Sequence, residues 1–164
     1  MGDLYAVITA VCWSSAVILF DISAKNFTAI QLNVLKNFIG VFGFILTIVL
    51  FSIPSPSFSQ QDIFTLALSG FLGILIADGL FLESLRRLGS GLSAVVSTIY
   101  TPTVFIIAFI LFNETINLHS YIGGVLVLGG ITISVFRPPK TIKKRDLYIG
   151  ILFGIVANIL TAYS

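Results

Sequence analysis

Residues 63–82 read Ile63-Phe64-Thr65-Leu66-Ala67-Leu68-Ser69-Gly70-Phe71-Leu72-Gly73-Ile74-Leu75-Ile76-Ala77-Asp78-Gly79-Leu80-Phe81-Leu82. The run carries a single charge, Asp78, and gives way to Glu83, Arg86 and Arg87. An α-helix rises ~1.5 Å per residue, so ~20 apolar residues match a ~30 Å hydrocarbon core. The stretch therefore predicts a membrane-spanning helix. Similar runs, closed by polar or charged residues, occupy about 4–20, 29–51, 92–112 and 118–136. A sixth begins at Leu147 and continues to Ser164. The expected fold class is an all-α integral membrane protein: a five-span helical bundle plus a partial sixth span, reading as part of something larger.

Composition supports this. Hydrophobic residues make up 57% of the 164 and charged residues 10%, against ~25% charged in a soluble domain. The 15 phenylalanines suit lipid-facing surfaces. The single cysteine, Cys12, rules out an intrachain disulfide. No spacing of Cys, His and carboxylates resembles a metal site, and the sole histidine, His119, falls at a helix edge. The sequence has no Gly-rich phosphate loop and no nucleophile elbow. No cofactor and no enzymatic activity are expected. A net charge of +2 does not suggest a nucleic-acid partner. The lipid bilayer is the partner that composition demands. Met1-Gly2-Asp3 supplies no basic region before the first span, which is therefore not a cleavable signal.

Charge sets the expected orientation. The loops after spans one, three and five hold Lys25, then Arg86 and Arg87, then Arg137, Lys140, Lys143, Lys144 and Arg145. The N-terminus and the loops after spans two and four hold no Lys or Arg. Positive loops stay cytoplasmic. The N-terminus is expected outside and the 137–146 loop in the cytoplasm of a plasma (inner) membrane, multi-pass. That loop, with Pro138-Pro139 and its basic cluster, reads as a linker and topology anchor, with a lipid-headgroup or partner site as the alternative.

Asp3-Leu4-Tyr5 opens span one and Asp146-Leu147-Tyr148 opens span six. The recurrence follows a five-span unit, and a repeat with an odd number of spans inserts inverted. The expected organisation is a five-span repeat over 1–136, a basic inter-repeat loop over 137–146, and the first, truncated span of a second repeat over 147–164.

Charges inside spans are costly and mark sites or pathways. Two stand out, Lys36 in span two and Asp78 in span three. Each lies about 9–10 Å inside its span, on the same side of the membrane, so an ion pair or shared ligand site is geometrically allowed. Span two also places Asn33, Asn37, Gly40 and Thr47 on one face, and span four Ser93, Ser97, Tyr100 and Thr101 beside Pro102. Span one carries Thr9, Cys12, Trp13 and Ala16 on a face, with Trp13 deeper than tryptophan usually sits. These faces either line a cavity or hydrogen-bond between packed helices. Gly70, Gly73 and Ala77, and Gly123, Gly130 and Ser134, form smooth packing stripes.

The glycine-rich third span through Asp78, the Gly89-Ser90-Gly91 link, the Ser/Ala-rich fourth span with Tyr100-Thr101-Pro102-Thr103, Glu114 and the Gly123–Gly130 stripe together resemble the EamA domain of the drug/metabolite transporter superfamily. Trp13-Ser14-Ser15 looks like that family's Trp-containing signature. The resemblance implies ten spans in two inverted halves around a cavity, moving small solutes by ion coupling or exchange. Asn113 stands where relatives commonly carry Gly before the Glu. The sequence departs from the family pattern in two respects: it stops inside the expected span six, which would leave out half the usual cavity, and ten-span members are usually placed with both termini in the cytoplasm, whereas the charge count here puts the N-terminus outside.

The expected function is therefore a secondary transporter, or part of one, moving a small metabolite or drug-like solute. Lys36 and Asp78 are the leading candidates for the substrate or coupling-ion site, with Trp13, Asn37 and Tyr100 as weaker lining residues. The expected partners are the solute and a second five-span half, in the same chain or as a homo- or hetero-dimer. The alternative is a non-transporting multi-pass subunit whose polar faces only hold the bundle together.

Overall fold

The computed structural model describes residues 2–54, 56–112, 122–123, 125–126, 129 and 142–164. Helix α1 spans Gly2–Ser23 and α2 spans Ala29–Leu50. Helix α3, Gln60–Ser69, passes through a π-helix, Gly70–Ala77, into α4, Asp78–Ser97. Helix α5 is Tyr100–Phe112 and α6 is Lys144–Tyr163. Every regular element among the described residues is helical. Among the described residues four stretches are long and apolar enough to cross a membrane: Gly2–Ser23, Ala29–Leu50, Gln60–Ser97 and Lys144–Tyr163. Tyr100–Leu111 forms a shorter apolar helix. The expected fifth span at 118–136 and most of the 137–146 loop lie outside the described residues, apart from the few positions given above.

Local chemistry explains where these helices start. Thr28 caps α2: its hydroxyl accepts from the Gln31 N–H, and the Gln31 side chain accepts from the Thr28 N–H. Ser59 and Asp62 form the same reciprocal arrangement at the start of α3. Both devices satisfy amide groups that the first helical turn would leave without partners.

Spans three and four, expected at 63–82 and 92–112, have other limits. The chain is helical from Gln60 to Ser97, interrupted at Gly89, where φ is 75° and ψ 168°. That backbone region is essentially confined to glycine, so the change of direction falls on the small-residue link. A second interruption comes at Thr98 and Ile99, which bond back three residues to Val95 and Val96. It lies one turn before Pro102, whose ring blocks the carbonyl of Thr98 and whose nitrogen has no proton to give it. The mid-span proline thus acts on the turn preceding it.

Helix α6 lies antiparallel against α4 and the π-helix. Ser84 Oγ donates to the Gly150 carbonyl at 2.7 Å, and Ser69 Oγ to the Ser164 carbonyl at 2.6 Å. The buried face of α6 is Gly150, Gly154, Ala157 and Asn158. A methyl group added at Gly154 would sit 2.6 Å from Val96 Cγ1 and 2.8 Å from Ser84 Oγ. At Gly150 it would sit 2.7 Å from Leu88 Cγ. Small residues four apart allow this close approach in the absence of a water-driven hydrophobic effect. A second cluster, Ala24, Ala29, Leu32, Leu82 and Leu85, joins the α1–α2 turn to α4. Helix α1 buries none of its residues, and α1 and α2 present most of their large apolar side chains outward, as a lipid solvent requires.

Candidate functional site

The site begins with an irregularity in span three. Across Gly70–Ala77 the backbone bonds five residues back, and the Asp78 N–H reaches the Gly73 carbonyl. A π-helix is uncommon and frequently falls at functional sites. Here the neighbouring span supplies a donor to its carbonyls. Asn33 of α2 is buried, 5% exposed, and its Nδ2 donates to the carbonyls of Ile74 at 3.0 Å and Leu75 at 3.3 Å. Asn37, one turn along, donates from Nδ2 to Asn33 Oδ1 at 3.0 Å and fixes its amide.

The same face of α2 carries Lys36 to Asp78. Its Nζ donates to Asp78 Oδ2. Each side chain is about a quarter exposed, 24% for Lys36 and 26% for Asp78. Asp78 stands where the π-helix returns to α-helix, so Asn33 and Lys36 together lock α2 onto the irregular segment. The pair offsets the cost of holding either charge inside a span.

Asp78 faces a cavity of about 310 Å³ lined by Trp13, Asp78, Phe81, Ser97, Tyr100, Ala157, Asn158 and Thr161. Trp13 stacks on Phe81 with ring centroids 6.4 Å apart and planes inclined by 29°. Helix α1 thus contributes one aromatic wall, α4 and α5 a second, and α6 a polar strip. Of the residues expected from sequence, Trp13, Asp78 and Tyr100 meet at this cavity. Lys36 reaches it through its carboxylate partner, and Asn37 instead braces Asn33. Two other residues of the expected faces bond to their own helices: Thr9 Oγ1 donates to the Tyr5 carbonyl, and Thr47 Oγ1 to the Gly43 carbonyl.

Sequence reasoning missed two contributions. One is α6, read only as a truncated span. The signal was Asn158 inside an apolar run. The other is Asp21, at the edge of span one. Its Oδ2 accepts from the Ser90 N–H at 2.9 Å, capping the helix that restarts after Gly89 from a different span. A lone acid beside a basic loop had no partner that spacing could identify.

Arg87 Nη1 donates to Asp146 Oδ1 at 2.8 Å, and Arg86 and Arg87 both bind Glu83. The turn after span three and the start of α6 are therefore at one end of the bundle. The Asp21–Ser90 bond brings the end of α1 to that end as well.

In chemical terms the cavity offers a carboxylate and ammonium already paired, an aromatic surface, and hydroxyl and amide groups opposite. A family model described as the EamA-like transporter family matches residues 1–136. No curated protein and no solved structure matches the chain.

Proposed function

The chain belongs to the EamA-like transporter family, and from that premise we propose that it is a secondary transporter whose solute binds beside the Lys36–Asp78 pair. A multi-pass membrane protein of transporter type is what family and helices agree on. The finer reading is alternating access between two inverted halves, carrying a small metabolite or drug-like solute across the plasma membrane. In it, 1–136 is the first five-span repeat, 137–146 the basic cytoplasmic loop and 147–164 the first span of the second repeat, with the N-terminus outside.

The observation that carries the proposal is a paired charge, about a quarter exposed, on the wall of an aromatic-lined cavity inside the membrane-spanning region. A pair that already balances itself favours a solute that adds no net charge. A neutral molecule can bind beside it. A zwitterion can exchange partners with it and keep every charge matched. Asp78 is the proposed anchor, Lys36 its counter-charge, and Trp13, Phe81 and Tyr100 the apolar walls.

The test is Asp78→Asn in proteoliposomes, using a solute that the wild type carries. Transport, or its ion dependence, is expected to be lost while expression and helicity are retained. Unchanged transport refutes the assignment.

The rival reading, a non-transporting assembly subunit, draws on the Asn33 and Asn37 bonds, which hold helices together without needing a solute. Single cysteines in place of Lys36, Tyr100 and Thr101 separate the two. Reaction with water-soluble thiol reagents supports a solute pathway, and uniform protection supports the subunit.

A further inference from the structure

A second cavity, about 510 Å³, opens at the end of the bundle where the basic turns meet. Its lining is Arg86, Arg87, Ile142, Lys143 and Asp146. The residues come from α4, just before Gly89, and from the start of α6. We propose that this cavity binds the phosphate of an anionic phospholipid headgroup. The proposal stands independently of the transport reading.

The architecture is organised rather than merely basic. Arg87 is fixed from three sides: Nε donates to Glu83 Oε1 at 2.8 Å, Nη1 donates to Asp146 Oδ1 at 2.8 Å, and the guanidinium lies 5.9 Å from the Phe153 ring centroid. Arg86 grips both oxygens of Glu83 through Nε and Nη2, each at 2.9 Å. Its side chain remains 41% exposed, and Nη1 is not engaged in that fork. Two carboxylates, Glu83 and Asp146, thus serve as struts that hold the arginines in place. Lys143, Lys144 and Arg145 add positive charge beyond what these struts neutralise.

The backbone adds to this. Lys143 is the N-cap of α6, with an extended backbone and no side-chain hydrogen bond to the first turn. The Lys143 side chain does not cap the opening amides of this 20-residue helix, whose first turn also holds Asp146, and the helix dipole is positive there. Backbone N–H groups, a lysine and an arginine fork around one concavity form the donor set that phosphate oxygens accept from.

Orientation in the membrane requires only that bases be present in these turns. It does not require bases from two separate helices to converge on one cavity at the start of α6. A lipid rather than a free anion is the fitting occupant because of position. The cavity sits where two apolar helices emerge, the depth of the headgroup layer, and Ile142 gives it an apolar rim. Basic pockets between spans on the cytoplasmic side recognise such headgroups.

The test uses the full chain in nanodiscs of phosphatidylcholine doped with phosphatidylglycerol, extracted gently and examined by native mass spectrometry for retained lipid. The wild type is expected to retain phosphatidylglycerol preferentially. Arg86→Gln and Lys143→Gln should each weaken retention about fivefold, the effect of removing one base near the surface. Arg86→Lys should recover part of the loss. Lys25→Gln, at the same end but outside the cavity, should leave retention unchanged. Lys143 is exposed, so its variant remains informative if the Arg86 variant misfolds. An equal loss in Lys25→Gln overturns the proposal in favour of diffuse charge attraction. Absence of a headgroup preference in the wild type overturns it as well. Displacement of the lipid by equimolar inorganic phosphate assigns the cavity to a free anion and overturns the lipid.

Discussion

Breaking the Lys36–Asp78 pair one partner at a time separates its structural role from its functional one. Lys36→Met leaves Asp78 inside span three with no counter-charge. At contact distance and an effective dielectric of about 20, the lost attraction is about 4 kcal/mol. A fully buried pair broken in this way costs about 3–5 kcal/mol. Here each side chain is about a quarter exposed, 24% and 26%, so water reaches the stranded carboxylate and relieves part of the penalty. The expected destabilisation is about 2 kcal/mol, with Asp78→Leu costing a similar amount. Lys36→Met with Asp78→Leu leaves no charge to bury and should return to within about 1 kcal/mol of the wild type.

The assay is reversible unfolding in mixed micelles, followed by helicity, on all four proteins. The expected coupling energy is about 3 kcal/mol or more. Additive single effects, with the double variant as unstable as their sum, would refute the idea that the ion pair offsets the cost of the intramembrane charges. Transport is then measured on the double variant, because its fold is intact. Loss of transport places the pair in the solute or coupling-ion site. Full transport in a stable double variant reduces the pair to a structural tie.

Three further outcomes are expected. Gly154→Val forces a side chain into atoms 2.6–2.8 Å from its Cβ and should cost about 1–3 kcal/mol of stability by overpacking. Gly40→Ala, where nothing lies within 4 Å, should be neutral or stabilising by up to about 1 kcal/mol. Thermal midpoints in detergent compare the two, and equal effects would contradict the packing of α6. Asn33→Leu leaves the Ile74 and Leu75 carbonyls without their donor, at about 1–3 kcal/mol. Hydrogen exchange in span three should speed up, and unchanged protection would count against the bracing role. Gly89→Ala places a side chain at φ 75°, at a cost of about 1–3 kcal/mol. The same denaturation measurement checks it, and a variant as stable as the wild type would contradict this backbone conformation.

Some of this was legible in the sequence because the membrane limits the choices. A charge inside a span needs a partner, and Lys36 and Asp78 lie at matching depths on antiparallel runs, so their contact could be anticipated. The interruption before Pro102 has an equally local cause, since proline disrupts the carbonyl four residues back whatever the surroundings. The π-helix was not. Its composition, Gly70 to Ala77, is that of any glycine-rich span, and the side chain that bonds to its carbonyls is an asparagine about forty residues away. Asp21 was missed on the same ground: its partner is a backbone amide, which carries no residue-type signature. Short-range patterns register side-chain chemistry and period. They do not register which backbone groups a distant side chain will satisfy.

Helix α6 shows why the cavity cannot be assigned to the family-matched residues 1–136 alone. It lies outside the family-matched region, yet Ala157, Asn158 and Thr161 line the cavity opposite Trp13 and Tyr100. Its small-residue face seats it against α4 so closely that Gly154 has no room for a methyl group. The close seating and the lining are consequences of one register: Gly150 and Gly154 set the depth of contact, and the next turn then brings Ala157 and Asn158 to the cavity edge. A change that lifts α6 from α4 should therefore alter solute binding without touching Asp78 or Lys36. The cavity chemistry follows from the junction between the family-matched region and the helix after it, and the glycines of that junction are as much a part of the site as the charges.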